Sequence, residues 1–136
     1  HGMANSLMLE EVIRFNSSEH PTKMGTFPQY AYPQCQARYA DVARFIGLKG
    51  KNDEELVEAL IKKLHELQEA IGQPKTIQEA LAGKVTEEEF LARLDQMTED
   101  AFDDQCTGAN PRYPLMSEIK EMYLNAYYGR KNRKKK

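Results

Sequence analysis

The sequence predicts an all-α fold, an irregular bundle of five to six helices. Three observations predict it. Apolar residues recur at i, i+3, i+4 and i+7 in several windows. Helix-starting and helix-stopping residues bracket those windows. No segment alternates with period two for long enough to make a strand. At 136 residues the chain has room for one domain around one core.

The elements follow in order. Residues 4–15 read as a helix with a broad apolar surface of Leu7, Met8, Leu9, Val12, Ile13 and Phe15, which predicts burial on more than one side. Residues 16–33 form a loop rich in Ser, Pro and Gly, whose rings Phe27, Tyr30 and Tyr32 are expected to pack back onto the core. In the second helix, 34–46, Tyr39, Val42, Ala43 and Ile46 mark the inner face. Gly47 then supplies a left-handed stop, with Leu48 closing a hydrophobic contact. The longest helix, 52–71, places acids 53–55 at its positive end. Its apolar face is Leu56, Val57, Leu60, Ile61, Leu64, Leu67 and Ile71. Gly72 and Pro74 end it, and a short helical turn follows at 76–82. Thr86 with Glu89 forms a capping box for the next helix, lined inside by Phe90, Leu91, Leu94, Met97 and Ala101. The last helix, 117–128, carries Ile119, Met122, Tyr123, Ala126 and Tyr127 on one stripe and stops at Gly129.

The net charge of −2 hides an asymmetry. Six of the last seven residues are basic, which leaves −8 on the rest of the chain. The expected division is therefore a helical body, 1–129, and a solvated, disordered basic tail, 130–136. An acidic body argues against a nucleic-acid surface on the fold itself. No apolar run approaches the roughly 20 residues of a membrane helix, and no signal peptide is visible, so a cytoplasmic location is expected. Two distant cysteines, Cys35 and Cys106, form no disulfide framework and fit a reducing compartment. The start, His1-Gly2-Met3, leaves two readings open: His1-Gly2 is a cloning remnant, or the chain is a piece of something longer.

No complete catalytic site is visible. There is no glycine-rich phosphate loop, and so no dinucleotide fold in this chain. His1, His20 and His65 are widely spaced, and none pairs with another on one helix face. Spacing alone supports no metal site, since a metal needs about four convergent ligands. His65 and His20 read as surface or half-buried histidines. Asp103 and Asp104 follow a helix directly and read as solvated or bonded to turn amides. Asn110-Pro111-Arg112 is a turn, with Arg112 free to clamp a carboxylate or carbonyl oxygens. Cys106 has no basic neighbour within four positions, so a buried, small apolar role is its default.

The most idiosyncratic stretch is the loop 101–115, Ala-Phe-Asp-Asp-Gln-Cys-Thr-Gly-Ala-Asn-Pro-Arg-Tyr-Pro-Leu, between two clear helices. With it go His1-Gly2-Met3-Ala4-Asn5, continuing to Val12-Ile13-Arg14-Phe15-Asn16, and Gly72-Gln73-Pro74-Lys75-Thr76-Ile77. Together, in this order, these stretches resemble the end of the iron-containing (group III) alcohol dehydrogenases. The likeness is strongest to the alcohol dehydrogenase half of bifunctional aldehyde-alcohol dehydrogenases, to which Phe27-Pro28-Gln29-Tyr30 also points. It runs nearly end to end and fails only in the basic tail.

The resemblance implies a two-lobed enzyme whose N-terminal α/β lobe binds NAD. A divalent metal, usually Fe2+, is held in the cleft by one Asp and three His. It polarises the alcohol or aldehyde oxygen while hydride moves to or from the nicotinamide. His1 matches the last of the three metal-binding histidines; the other ligands and the cofactor lobe would lie outside this sequence. Cys106 matches a wall of the alcohol pocket. The chain would be the C-terminal part of the helical lobe, inactive alone and binding no cofactor alone. Its parent would interconvert small aldehydes and primary alcohols as a homo-oligomer or filament, without membrane or nucleic-acid partners. One departure concerns Glu10, where the family usually has proline, so the first helix is expected to run straighter. The rival expectation is a non-enzymatic helical interaction module with a basic docking tail.

Overall fold

The structure, a computed structural model, describes residues 1–133. Seven helices follow one another: α1 Gly2–Asn16, α2 Cys35–Phe45, α3 Asp53–Ala70, α4 Ile77–Leu81, α5 Glu87–Asp103, α6 Met116–Tyr128 and α7 Arg130–Arg133. Short 3-10 turns occupy Pro28–Tyr30 and Thr107–Ala109. Among the described residues there is no strand, only one isolated antiparallel bridge between Met24 and Arg112. The all-α expectation holds. No described helix is long and apolar enough to cross a membrane.

Local chemistry explains the boundaries. The Asn52 side chain accepts the Glu55 amide at 2.9 Å and opens α3. Thr86 and Glu89 exchange backbone and side-chain bonds at 2.8 and 3.2 Å, which is the anticipated capping box on α5. At the end of α2, Gly47 takes φ +84°, and the Leu48 amide reaches back to the Ala43 carbonyl at 3.0 Å. Helix α1 runs unbroken through Glu10, as the absence of proline there predicts.

The core is built in two halves joined by α1. On one side α2 and α3 form a hairpin, with Ala40, Ala43 and Leu56 packed together and Ile13 of α1 set against Val57 and Ile61. On the other, Phe90 and Leu94 of α5 meet Tyr127 of α6, with Ile77 and Leu81 of α4 alongside. The Phe90 and Tyr127 rings stack with centroids 4.0 Å apart. Helix α1 lies against α6, so the seam between the halves runs along α1.

Several expectations are corrected. The inner face of α2 is Ala40 and Ala43, not Val42 and Ile46, both of which are exposed. Small side chains let α2 approach α3 closely, and that contact turns the larger residues outward. Leu67 and Ile71 at the end of α3, Leu91 on α5 and Leu9 on α1 are likewise exposed. Phe27 and Tyr32 do not reach the core. They stay exposed because their loop is held instead by backbone bonds to 111–113, where Gly25 N donates to Pro111 O at 2.7 Å and Tyr113 N to Lys23 O at 2.9 Å.

Residues 130–133 form the short helix α7 and bond to the body. Arg130 donates twice to the carboxylate of Glu11, at 2.6 and 2.7 Å, and Asn125 adds a third bond at 3.1 Å. Glu11 is only 2% exposed, so a buried anion draws the arginine in. Arg133 grips the Glu121 carboxylate at 2.7 and 2.8 Å. Residues 134–136 of the basic tail lie outside the described residues.

Candidate functional site

The face of α1 turned toward α4, α5 and α6 carries the candidate site. His1 caps α1, and its carbonyl accepts the first helical bond, from the Asn5 amide at 3.0 Å. At helical spacing, His1, Asn5, Met8 and Val12 fall on one stripe. That stripe lines two adjoining cavities. The first, about 690 Å3, takes in His1, Asn5 and Met8 with Leu81, Val85 and Met97 opposite. The second, about 520 Å3, takes in Asn5, Met8 and Val12 with Cys106, Ile119 and Met122. Asn5, Met8 and Tyr123 belong to both. His1 lines the first cavity and Cys106 the second, and the walls are mostly apolar, with Glu89 and Arg93 also on the first. Burial, with the charge of Asp100 behind it, pushes the Tyr123 phenol up and keeps it protonated.

Cys106 is carried by the loop between α5 and α6, which is rigidly made. The Asp104 carboxylate accepts the Cys106 amide at 2.7 Å, the turn-amide role expected of that acid. The Thr107 hydroxyl donates to the Ala101 carbonyl at 2.6 Å. Asn110 and Asn16 exchange side-chain amide bonds at 2.8 and 3.1 Å, tying the loop to the end of α1. Arg112 acts as the anticipated clamp. It donates to the Phe15 carbonyl at 2.8 Å and to Glu118 at 2.5 Å, and its guanidinium lies 3.8 Å from the Phe15 ring centroid. Burial opposes the charge on Glu118. The Leu115 amide, the Thr22 hydroxyl and Arg112 outweigh it and hold this carboxyl below its ordinary range.

The structure thus brings His1 and Cys106 to two adjoining cavities and leaves the other candidates out. Cys106 is exposed, which corrects its default as a buried filler: the Asp104 turn and the Thr107 bond face it toward the second cavity. Cys35 and Cys106 are both free thiols. His65 lies on the outer face of α3, 2.8 Å from the Glu10 carboxylate, and His20 sits in an exposed loop. Sequence reasoning missed Asn5 and Met8 as cavity residues, although their spacing from His1 could have found them. It also missed Glu11, whose place among apolar neighbours on α1 was the available signal.

One imidazole lining a largely apolar cavity fits one corner of a divalent-metal site. Among the described residues, no three His, Cys, Asp or Glu side chains converge. The remaining ligands implied by the resemblance would have to come from elsewhere.

The chain belongs to the Fe-containing alcohol dehydrogenase family, whose C-terminal description matches residues 1–127. Among its relatives, the aldehyde-alcohol dehydrogenase of Clostridium acetobutylicum is 52% identical over 93% of this chain. The bifunctional aldehyde-alcohol dehydrogenase of Escherichia coli is 49% identical over 96% of it. The NADPH-dependent butanol dehydrogenase of Clostridium saccharobutylicum is 36% identical over 95%. The chain spans 14% of the length of the first two relatives and 29% of the third.

Proposed function

We propose that this chain is the C-terminal part of the metal-binding helical lobe of an alcohol dehydrogenase, with a bifunctional aldehyde-alcohol dehydrogenase as the parent. The parent interconverts small aldehydes and primary alcohols with NAD, in the cytoplasm, as a homo-oligomer. His1 supplies one ligand to a divalent metal, with iron the element in the family's description. Cys106 forms part of the alcohol pocket wall. When bound, the metal would act as a Lewis acid on the alcohol or aldehyde oxygen. This chain's own residues hold the apolar part of the substrate along α1, and the start of that helix carries the imidazole.

The observation that supports this reading most is the pair of adjoining cavities that carry His1 and Cys106, the two positions matched to the family's metal and pocket. Their largely apolar walls suit an alkyl tail, with Glu89 and Arg93 the charged residues on the first. The NADPH in the name of one relative makes cofactor choice a matter for the missing lobe.

The test compares the full-length parent, loaded with Fe2+, with the 136-residue chain, using butan-1-ol and NAD. The parent is expected to form NADH and the chain alone to form none. NADH formation by the chain alone, or its absence from the parent with both NAD and NADP, would overturn the proposal.

A further inference from the structure

The two cavities meet at three residues, and that neck has a consequence for which alcohols the site accepts. We infer that Met8, between Asn5 and Tyr123, is a specificity-determining residue that limits how far an unbranched alkyl tail reaches from His1 toward Cys106. The inference rests on the functional reading above and deepens it.

Met8 follows His1 by seven residues, roughly 10 Å along the axis of α1. Ethanol with its oxygen at the His1 end does not span that distance, whereas a longer primary alcohol does. Beyond the neck the walls are Val12, Ile119 and Met122, which would bury further methylenes. Asn5 and Tyr123 each bring a polar group to the neck. Met8 brings a flexible, unbranched thioether whose rotamers set the opening. Shortening it joins the two cavities, and a ring in its place separates them.

The experiment uses the full-length, metal-loaded enzyme with ethanol and octan-1-ol. In Met8→Ala the ratio of kcat/KM for octan-1-ol over that for ethanol is expected to rise about tenfold, mainly through KM, which is the low end of what one methylene-sized contact is worth in a hydrophobic pocket. In Met8→Phe the same ratio is expected to fall. An unchanged ratio in both variants overturns the inference, and Met8→Val replaces Met8→Ala if the latter melts early by circular dichroism.

A binding readout separates this inference from the functional reading. In a Cys35→Ala background, octan-1-ol should slow iodoacetamide alkylation of Cys106 more in Met8→Ala than with Met8 present, independently of turnover. Equal protection in both would refute the neck. Protection as expected in an enzyme that keeps its metal without His1 would refute the metal reading and leave the neck standing.

Discussion

At the scale of single residues, the loop bearing Cys106 is held by close backbone approaches that leave no room for substitution. A Cβ at Gly25 would lie 2.5 Å from the Asn110 carbonyl oxygen and 3.0 Å from that of Pro111. Both are main-chain atoms and cannot swing away. Gly25→Ala is therefore expected to cost about 1–3 kcal/mol and to loosen the loop, read as a lower urea midpoint and faster alkylation of Cys106; an unchanged midpoint would contradict this account.

The Glu11–Arg130 pair makes a second residue-scale prediction. Arg130→Ala leaves a buried carboxylate with Asn125 as its remaining hydrogen-bond donor and the charge of Arg133 nearby. The expected loss is about 2 kcal/mol, below the roughly 3–5 kcal/mol typical of fully buried pairs because the arginine is partly exposed. A midpoint matching the wild type would show that Glu11 is relieved in another way. Neither residue's role was legible beforehand. A glycine in a Ser- and Pro-rich loop looks like any flexible glycine, and the Glu11–Arg130 pair spans almost the whole chain. The Arg112 clamp was legible because an Asn-Pro-Arg turn aims the guanidinium back at neighbouring oxygens.

At the scale of elements, helix starts and stops were the most legible features because caps are local. The capping box at Thr86, the stop at Gly47 and the Asn52 start need only a few residues each. Helix faces were less legible, because which stripe faces inward depends on the partner. On α2 the sequence offers two stripes, and close packing on α3 selects the alanine one.

Junctions between elements carry pH dependence. Glu118 joins the start of α6 to the loop and to Thr22, and its folded-state carboxyl titrates below the ordinary range. Glu58, Glu89 and Glu121 shift the same way, through bonds from Arg14, Thr86 and Arg133 respectively. A lowered folded-state value favours the charged form on folding. Its stabilisation is present above the unfolded value near about 4.3 and is lost as pH falls through the folded one. The urea midpoint should hold between about pH 7 and 5 and then fall, and Glu118→Gln should fall less steeply. Parallel profiles for the two proteins would contradict the assigned role.

At the scale of the whole molecule, the chain is a helical lobe in which α1 meets α4, α5 and α6 around two adjoining cavities, and whose outer faces remain partly apolar. Phe45 is 91% exposed, with Val42 and Ile46 beside it on α2. Such a patch suits a chain that spans a small part of its relatives' length. The proposed metal ligand was the least legible feature. A metal needs several convergent ligands, and this sequence offers a lone histidine at its first position; only the likeness of the surrounding residues to a family singled it out.

The most direct measurement is the iron content and alcohol-dependent NAD reduction of the full-length His1→Ala variant, compared with wild type purified and loaded in the same way. The account predicts that the variant loses most of its metal and its activity on every alcohol, while the aldehyde-oxidising half of the bifunctional enzyme keeps working as an internal control. A His1→Ala enzyme that retains its iron and its alcohol turnover would contradict the account.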